Sequence, residues 1–248
     1  MCLVEVEKMP KLVIACATQV ADGMVIKTES PRAVKARQAV MEFLLINHPL
    51  DCPICDEAGE CKLQDYTYRH SIGFSRFEEA KVHKPKRVPW GPNVMFDAER
   101  CIMCSRCIRF CDEIAGDAEL AVVERGSRSE IDVFPGQPME NKLQGNGVDL
   151  CPVGCLLSKD FLFQQRVWLL EEGQSVCAGC SRGCTVKVDR NDDTIYRLRP
   201  RFNEKVNQWW MCDEGRFGYH AIDDGRLLQP QVRQADRLEP ATWEAAFQ

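Results

Sequence analysis

Apolar and charged positions alternate over Val4–Glu7, and an apolar run covers Leu12–Ala15, so the chain opens inside what reads as a pair of strands. Ser30-Pro31 supplies an N-cap followed by proline at the first helical position. Behind it Ala33, Ala36, Val40, Phe43 and Leu44 share one face at helical spacing, which predicts a helix ending at His48-Pro49. Further along, Val186–Asp189 and Thr194–Leu198 alternate like short strands in a block that starts near Glu172. Thr242 is a good N-cap before Trp243–Phe247, yet the sequence stops about one turn later. Both ends read as cut, and the expectation is a fragment of a longer protein. The basic, proline-rich stretch Lys81–Pro89 has no aromatic residues among its charges and reads as a solvated connection.

No apolar run approaches the roughly 18 residues needed to cross a bilayer, the longest being Leu12–Ala17. The start lacks a basic and apolar leader, so nothing directs the chain out of the cytosol. Lys and Arg number 32 against 37 Asp and Glu, a net charge of −5, which gives no bulk positive field for a nucleic-acid backbone. The 15 cysteines in 248 residues are the informative excess. In a reducing compartment and a chain of this length they are expected as thiols rather than disulfide staples.

Their spacing forms three quartets. His48, Cys52, Cys55 and Cys61 give H-x3-C-x2-C-x5-C. Cys101, Cys104 and Cys107 give C-x2-C-x2-C, with Cys151-Pro152 downstream. Cys177, Cys180 and Cys184 give C-x2-C-x3-C, with Cys212 as a distant fourth. Four soft or borderline ligands match a cubane 4Fe-4S cluster, one ligand for each iron. Zinc also takes four such ligands, usually from separated pairs gripping one ion, whereas three thiolates at two-residue gaps wrap a corner of a larger cluster. Iron-sulfur is the favoured reading and zinc the alternative. Cys111 and Cys155 cannot complete a further cubane and read as thiols packed in the core, while Cys2 and Cys16 suggest the tail of a 2Fe-2S site. His70, His83 and His220 lack comparable company. Phosphate-binding loops and hydrolase or protease motifs are missing, so several clusters without a substrate-activating motif describe an electron wire.

From Cys2 to about Pro230 these motifs occur in the order found in the large peripheral-arm iron-sulfur subunits of respiratory complex I, the G subunits of NADH-quinone oxidoreductase, and the sequence resembles that family. The resemblance implies an α+β chain of consecutive small iron-sulfur domains. These would be the tail of a β-grasp 2Fe-2S ferredoxin (1–25), a helical His-ligated 4Fe-4S domain (26–84) and a ferredoxin-like all-cysteine 4Fe-4S domain (85–168). The 4Fe-4S start of a molybdopterin-oxidoreductase-like domain (169–226) and a truncated downstream segment (227–248) would follow. It implies three 4Fe-4S clusters on the quartets above, with Cys2 and Cys16 as two ligands of a 2Fe-2S cluster complete only in a full-length protein. Glu214 stands where molybdenum enzymes of that superfamily commonly carry lysine after the fourth cysteine, so no molybdenum is expected. The family also implies electron flow from NADH through FMN on a partner subunit, then through 2Fe-2S, all-cysteine and His-ligated clusters toward quinone. Proton translocation would belong to the membrane arm, and the location would be peripheral, on the cytoplasmic face of a bacterial inner membrane. The competing family reading is the iron-sulfur subunit of a soluble NAD-linked hydrogenase or formate dehydrogenase; a zinc-stapled scaffold is the remote one.

Overall fold

The structure, a computed structural model, describes residues 1–248 and is built from small sheets and short helices strung along the chain. β1 (Leu3–Val6) pairs antiparallel with β2 (Val13–Ile14) and with β3 (Ile26–Lys27), burying Val4 and Val6 as the alternation predicts. α1 (Pro31–Leu45) starts where Ser30 Oγ accepts a bond from the Ala33 amide at 3.2 Å, with Pro31 pre-set in φ. It ends a few residues before the expected stop, and its face differs in one place: Ala33 and Met41 are buried, but Phe43 points outward. α2 (Lys62–His70) follows, with Asp65 in its first turn and Arg69 and His70 in its last, as the helix dipole favours.

The basic stretch is largely exposed, as expected, but its lysines are tied down. Lys81 Nζ donates to the carbonyls of Leu45 and Ile46 at 3.0 and 2.8 Å, closing the end of α1. Lys84 Nζ donates to the Ser129 carbonyl, and Lys86 Nζ sits 2.6 Å from Asp51 and 2.8 Å from Glu99. The charges that made the segment look like a free linker instead find carbonyl and carboxylate partners on both sides of it. Its last residues form β4 (Val88–Pro89), which pairs with β5 (Val94–Phe96).

α3 (Arg106–Phe110), β6 (Leu120–Val123), β7 (Glu130–Val133), α4 (Gly145–Leu150) and β8 (Leu156–Ser158) complete this part, with β8 antiparallel to β5 and β6 to β7. The main core lies here. Trp90 and Phe96 stack at 3.9 Å, packed with Val94, Phe110, Leu120, Ile131 and Val153. Cys61, Cys107, Cys111 and Cys155 belong to the same core. β9 (Glu171–Val176), β10 (Thr185–Asn191) and β11 (Thr194–Pro200) form a three-stranded antiparallel sheet; the sequence pattern marked the last two. β9 carries Glu171, Glu172, Gly173, Gln174 and Ser175, which give no strand alternation. α5 (Asp213–Phe217) packs on β11, and a hairpin of β12 (Gln231–Gln234) and β13 (Arg237–Pro240) precedes α6 (Trp243–Ala246). None of the helices is long and apolar enough to cross a membrane.

Candidate iron-sulfur sites

All fifteen cysteines are free thiols, and the fold gathers the three quartets separately. Cys101–Cys107 is the sharpest turn. Met103 and Ser105 both hold positive φ, 54° and 58°, a conformation that L-residues rarely adopt. Two left-handed residues so close together wrap the backbone around a common centre. Cys151 reaches that centre from the end of α4, close enough for its charge to act on Cys101, Cys104 and Cys107. Burial pushes the Cys107 thiol up to about 12. Cys151, by contrast, is lowered to about 7, because the Cys155 side chain hydrogen-bonds its sulfur at 3.3 Å and the backbone around Val153 to Leu156 adds further bonds.

Three of the His48 quartet, His48, Cys52 and Cys61, line a cleft of about 820 Å³ between α1 and α2. Cys55 lies inward, beneath Gly154. His48 follows the end of α1, where the proline at position 49 turns the chain out of the helix. Burial, assisted by the nearby charges of Lys81 and Arg100, lowers its pKa to about 4, so the imidazole is neutral at pH 7 and able to donate a lone pair to a metal. Cys61 caps α2, its sulfur accepting from the Gln64 amide at 3.5 Å, and burial raises its thiol to about 11.

Cys212 repeats that arrangement at α5, where its sulfur accepts from the Gly215 amide at 3.4 Å. Cys184 lies within electrostatic range of Cys177, Cys180 and Cys212, and Gly179 N–H points at Cys177 Sγ at 3.5 Å. A side chain at Gly215 would press on the sulfur of Cys177 and touch that of Cys212, so the glycine leaves room for both. Cys2 and Cys16 are exposed at one end of the β1–β2 ladder, drawn together by the bond from the Ala15 amide to the Cys2 carbonyl at 2.9 Å.

Amides aimed at cysteine sulfur recur at Cys61, Cys101, Cys177 and Cys212. Hydrogen bonds of that kind are a recognised control on cluster potential. No three His, Cys, Asp or Glu side chains meet tightly enough to hold a single metal ion, while His48, Cys52 and Cys61 open on one wider cleft. Soft sulfur donors, one neutral imidazole and N–H groups directed at sulfur together fit clusters.

Several residues that shape the sites carried no recognisable signal in the sequence. Gly154 packs so closely on Cys55 that any Cβ would overlap its sulfur. The Pro152 carbonyl accepts from the Lys62 amide at 3.1 Å and faces Cys61 Sγ at 3.8 Å. Glu57, close to Cys61 and Cys151, is held well above the usual carboxylate range by burial. A Cys-Pro-x-Gly run after a long gap was the one local hint at the first two.

Four sequence families match consecutive stretches. The 2Fe-2S iron-sulfur cluster binding domain matches residues 1–31, and the NADH-ubiquinone oxidoreductase-G iron-sulfur binding region matches 37–76. The ferredoxin-like domain of NADH-quinone oxidoreductase subunit 3 matches 91–157, and the molybdopterin oxidoreductase Fe4S4 domain 170–224. Among curated relatives, the NADH-quinone oxidoreductase G subunit of Rickettsia bellii is 43% identical over 247 residues, covering 100% of this chain and 36% of its own length. The mitochondrial NADH-ubiquinone oxidoreductase 78 kDa subunit of Neurospora crassa is 44% identical, covering 100% of this chain and 33% of itself. The chain thus spans about a third of the length of these relatives. A solved structure of an NAD+-reducing nickel-iron hydrogenase in its H2-reduced state aligns with a TM-score of 0.57 at 25% identity, over 67% of this chain and 71% of that one. Iron-sulfur domain models in this order, and relatives matched along the whole chain, make it similar throughout to about a third of the length of NADH-quinone oxidoreductase G subunits.

Proposed function

We propose that this chain is the electron-relay portion of an iron-sulfur subunit of NADH:quinone oxidoreductase. His48, Cys52, Cys55 and Cys61 would hold one 4Fe-4S cluster, Cys101, Cys104, Cys107 and Cys151 a second, and Cys177, Cys180, Cys184 and Cys212 a third. Cys2 and Cys16 would supply two ligands of a 2Fe-2S cluster. Bound there, the clusters would supply one-electron centres. The protein's part is to fix their separation, exclude water and aim amides at their ligands. Domain limits at 25, 84, 168 and 226 follow from this assignment.

The observation that carries the reading is the segment Cys151–Cys155. It belongs to the second quartet through Cys151 and lies directly on the first, through the Pro152 carbonyl beside Cys61 and the bare Cα of Gly154 beside Cys55. Two ligand sets that share one backbone strap are adjacent centres in a relay. Glu214 near the third quartet supports a site without molybdenum.

Exposed Phe43, Leu50, Ile54, Tyr68 and Phe74 on the part of the chain that holds the His48 quartet support docking against other peripheral subunits, one of them bearing FMN and NADH. The assembly would sit peripherally at a membrane, on the cytoplasmic face in a bacterium. The hydrogenase similarity favours one alternative, the diaphorase-side subunit of a soluble NAD-linked hydrogenase.

Anaerobic reconstitution followed by iron and sulfide analysis and EPR tests the reading. About twelve irons from three cubanes are expected, with no 2Fe-2S signal. A colourless protein holding zinc without acid-labile sulfide would overturn it.

A further inference from the structure

Besides Cys2 and Cys16, two cysteines stand outside the quartets, and the structure separates them. Cys111 is buried in the core within electrostatic range of Glu119 and Asp117, with no hydrogen bond from its sulfur to a quartet sulfur. Cys155 is also buried, 4% exposed, but its sulfur lies 3.3 Å from Cys151 Sγ and close enough to Cys101 to act on its thiol. We propose that Cys155 is a thiol donor that hydrogen-bonds the ligand sulfurs of Cys101 and Cys151 and so sets the reduction potential of that site. The inference rests on the cluster assignment above.

The backbone holds Cys155 in place. Its amide donates to the Val153 carbonyl at 2.9 Å, its carbonyl accepts from the Asp97 amide at 2.8 Å, and β8 begins at the next residue. The side chain is therefore directed by main-chain bonds and a sheet rather than by a mobile loop. The quartet already supplies four ligands, the number a cubane takes, so the fifth sulfur has no iron left to bind. What it can offer is its S–H.

Ligand sulfurs carry more negative charge in the reduced cluster than in the oxidised one. A donor directed at them stabilises the reduced form more, most of all where burial lowers the local dielectric. The amide of Met103, 3.4 Å from Cys101 Sγ, acts in the same sense from the backbone. Cys155 adds a side-chain donor shared between two ligands, at a position where an alanine would pack and donate nothing.

The test compares the full chain with Cys155→Ala and Cys155→Ser, each reconstituted anaerobically, assayed for iron and sulfide, and titrated redox-potentiometrically with EPR detection. Cys155→Ala should keep all its iron and shift the midpoint of the all-cysteine cluster to lower potential, leaving the other two clusters unmoved. Cys155→Ser, which restores an O–H donor, should bring that midpoint back toward the parent value. An equal midpoint in all three proteins, each with full iron, overturns this inference alone. Loss of about four irons in Cys155→Ala, with the cluster retained in Cys151→Ala, makes Cys155 a ligand and also overturns it. A parent chain without iron and sulfide overturns the cluster assignment and the inference together. Should Cys155→Ala fail to fold, pulsed EPR of the parent chain reconstituted in D2O decides: an exchangeable deuteron whose coupling to this cluster changes in Cys155→Ser supports the thiol, and identical couplings in the two refute it.

Discussion

Arg216 Nη2 lies 2.5 Å from Asp149 Oδ2, with Nη1 3.1 Å from Oδ1, a two-point ion pair between α5 and the last turn of α4. α4 leads into Cys151 and α5 begins after Cys212, so the pair ties the second quartet to the third. Buried Asn146 reinforces it, exchanging bonds with the Met211 backbone at 2.8 and 3.1 Å. Asp213 Oδ1 adds a bond from the Gly145 amide at 2.9 Å.

Removing the guanidinium would take the two-point partner from Asp149, which is partly open to solvent, at a cost of about 2 kcal/mol for hydrogen bonds between charged groups. Arg216→Ala is therefore expected to lower the unfolding midpoint and to release the third cluster first, dropping iron by about four per chain while EPR of the others persists. An unchanged denaturation curve with full iron would contradict the latch.

Gly154 has no room for a side chain. Gly154→Ala would drive a methyl into Cys55 Sγ and displace one ligand of the His48 site. Selective loss of the EPR signal of the His-ligated cluster is expected, with the all-cysteine signal retained. Both signals surviving at full intensity would show that the strap yields instead.

A neutral imidazole in place of a thiolate leaves a cluster less negative, and Rieske centres show that such an exchange raises potential. His48→Cys should therefore retain a cluster but move its midpoint lower, read by EPR-monitored titration. An unmoved midpoint would count against His48 as a ligand.

The lowered pKa of His48, about 4 against an ordinary 6.5, carries a pH dependence with a definite sign. As pH falls, the unfolded chain takes up the proton first, so stability is complete above about 6.5 and declines toward 4, by about 3 kcal/mol in all. Urea unfolding of the cluster-free chain should weaken over that interval, and His48→Gln should flatten the decline. Parallel curves for the two proteins would remove His48 as the cause.

The candidate ligands were legible because their chemistry is local. Cysteine intervals in C-x2-C-x2-C and C-x2-C-x3-C, and the capped start of α1 at Ser30-Pro31, depend on neighbours a few residues apart. β10 and β11 were legible for the same reason, through alternation, whereas β9 was not, because its exposed polar residues are held only by pairing with β10. The lysines of 81–86 misled in part, since a charge run reads as a free connection until carbonyls and carboxylates from 35 or more residues earlier are folded against it, as Leu45 and Asp51 are.

By itself, then, the order of residues determined which side chains are candidates for soft metal centres and how they group along the chain, since donor type and spacing are covalent facts. Only the tertiary structure decided how those centres are joined. The strap at Pro152 and Gly154, the Arg216–Asp149 pair and the approach of Cys155 to Cys101 all link positions distant in sequence, or turn on which way a side chain faces. Such relations are fixed by packing and by the need to satisfy buried polar groups, which no local pattern encodes.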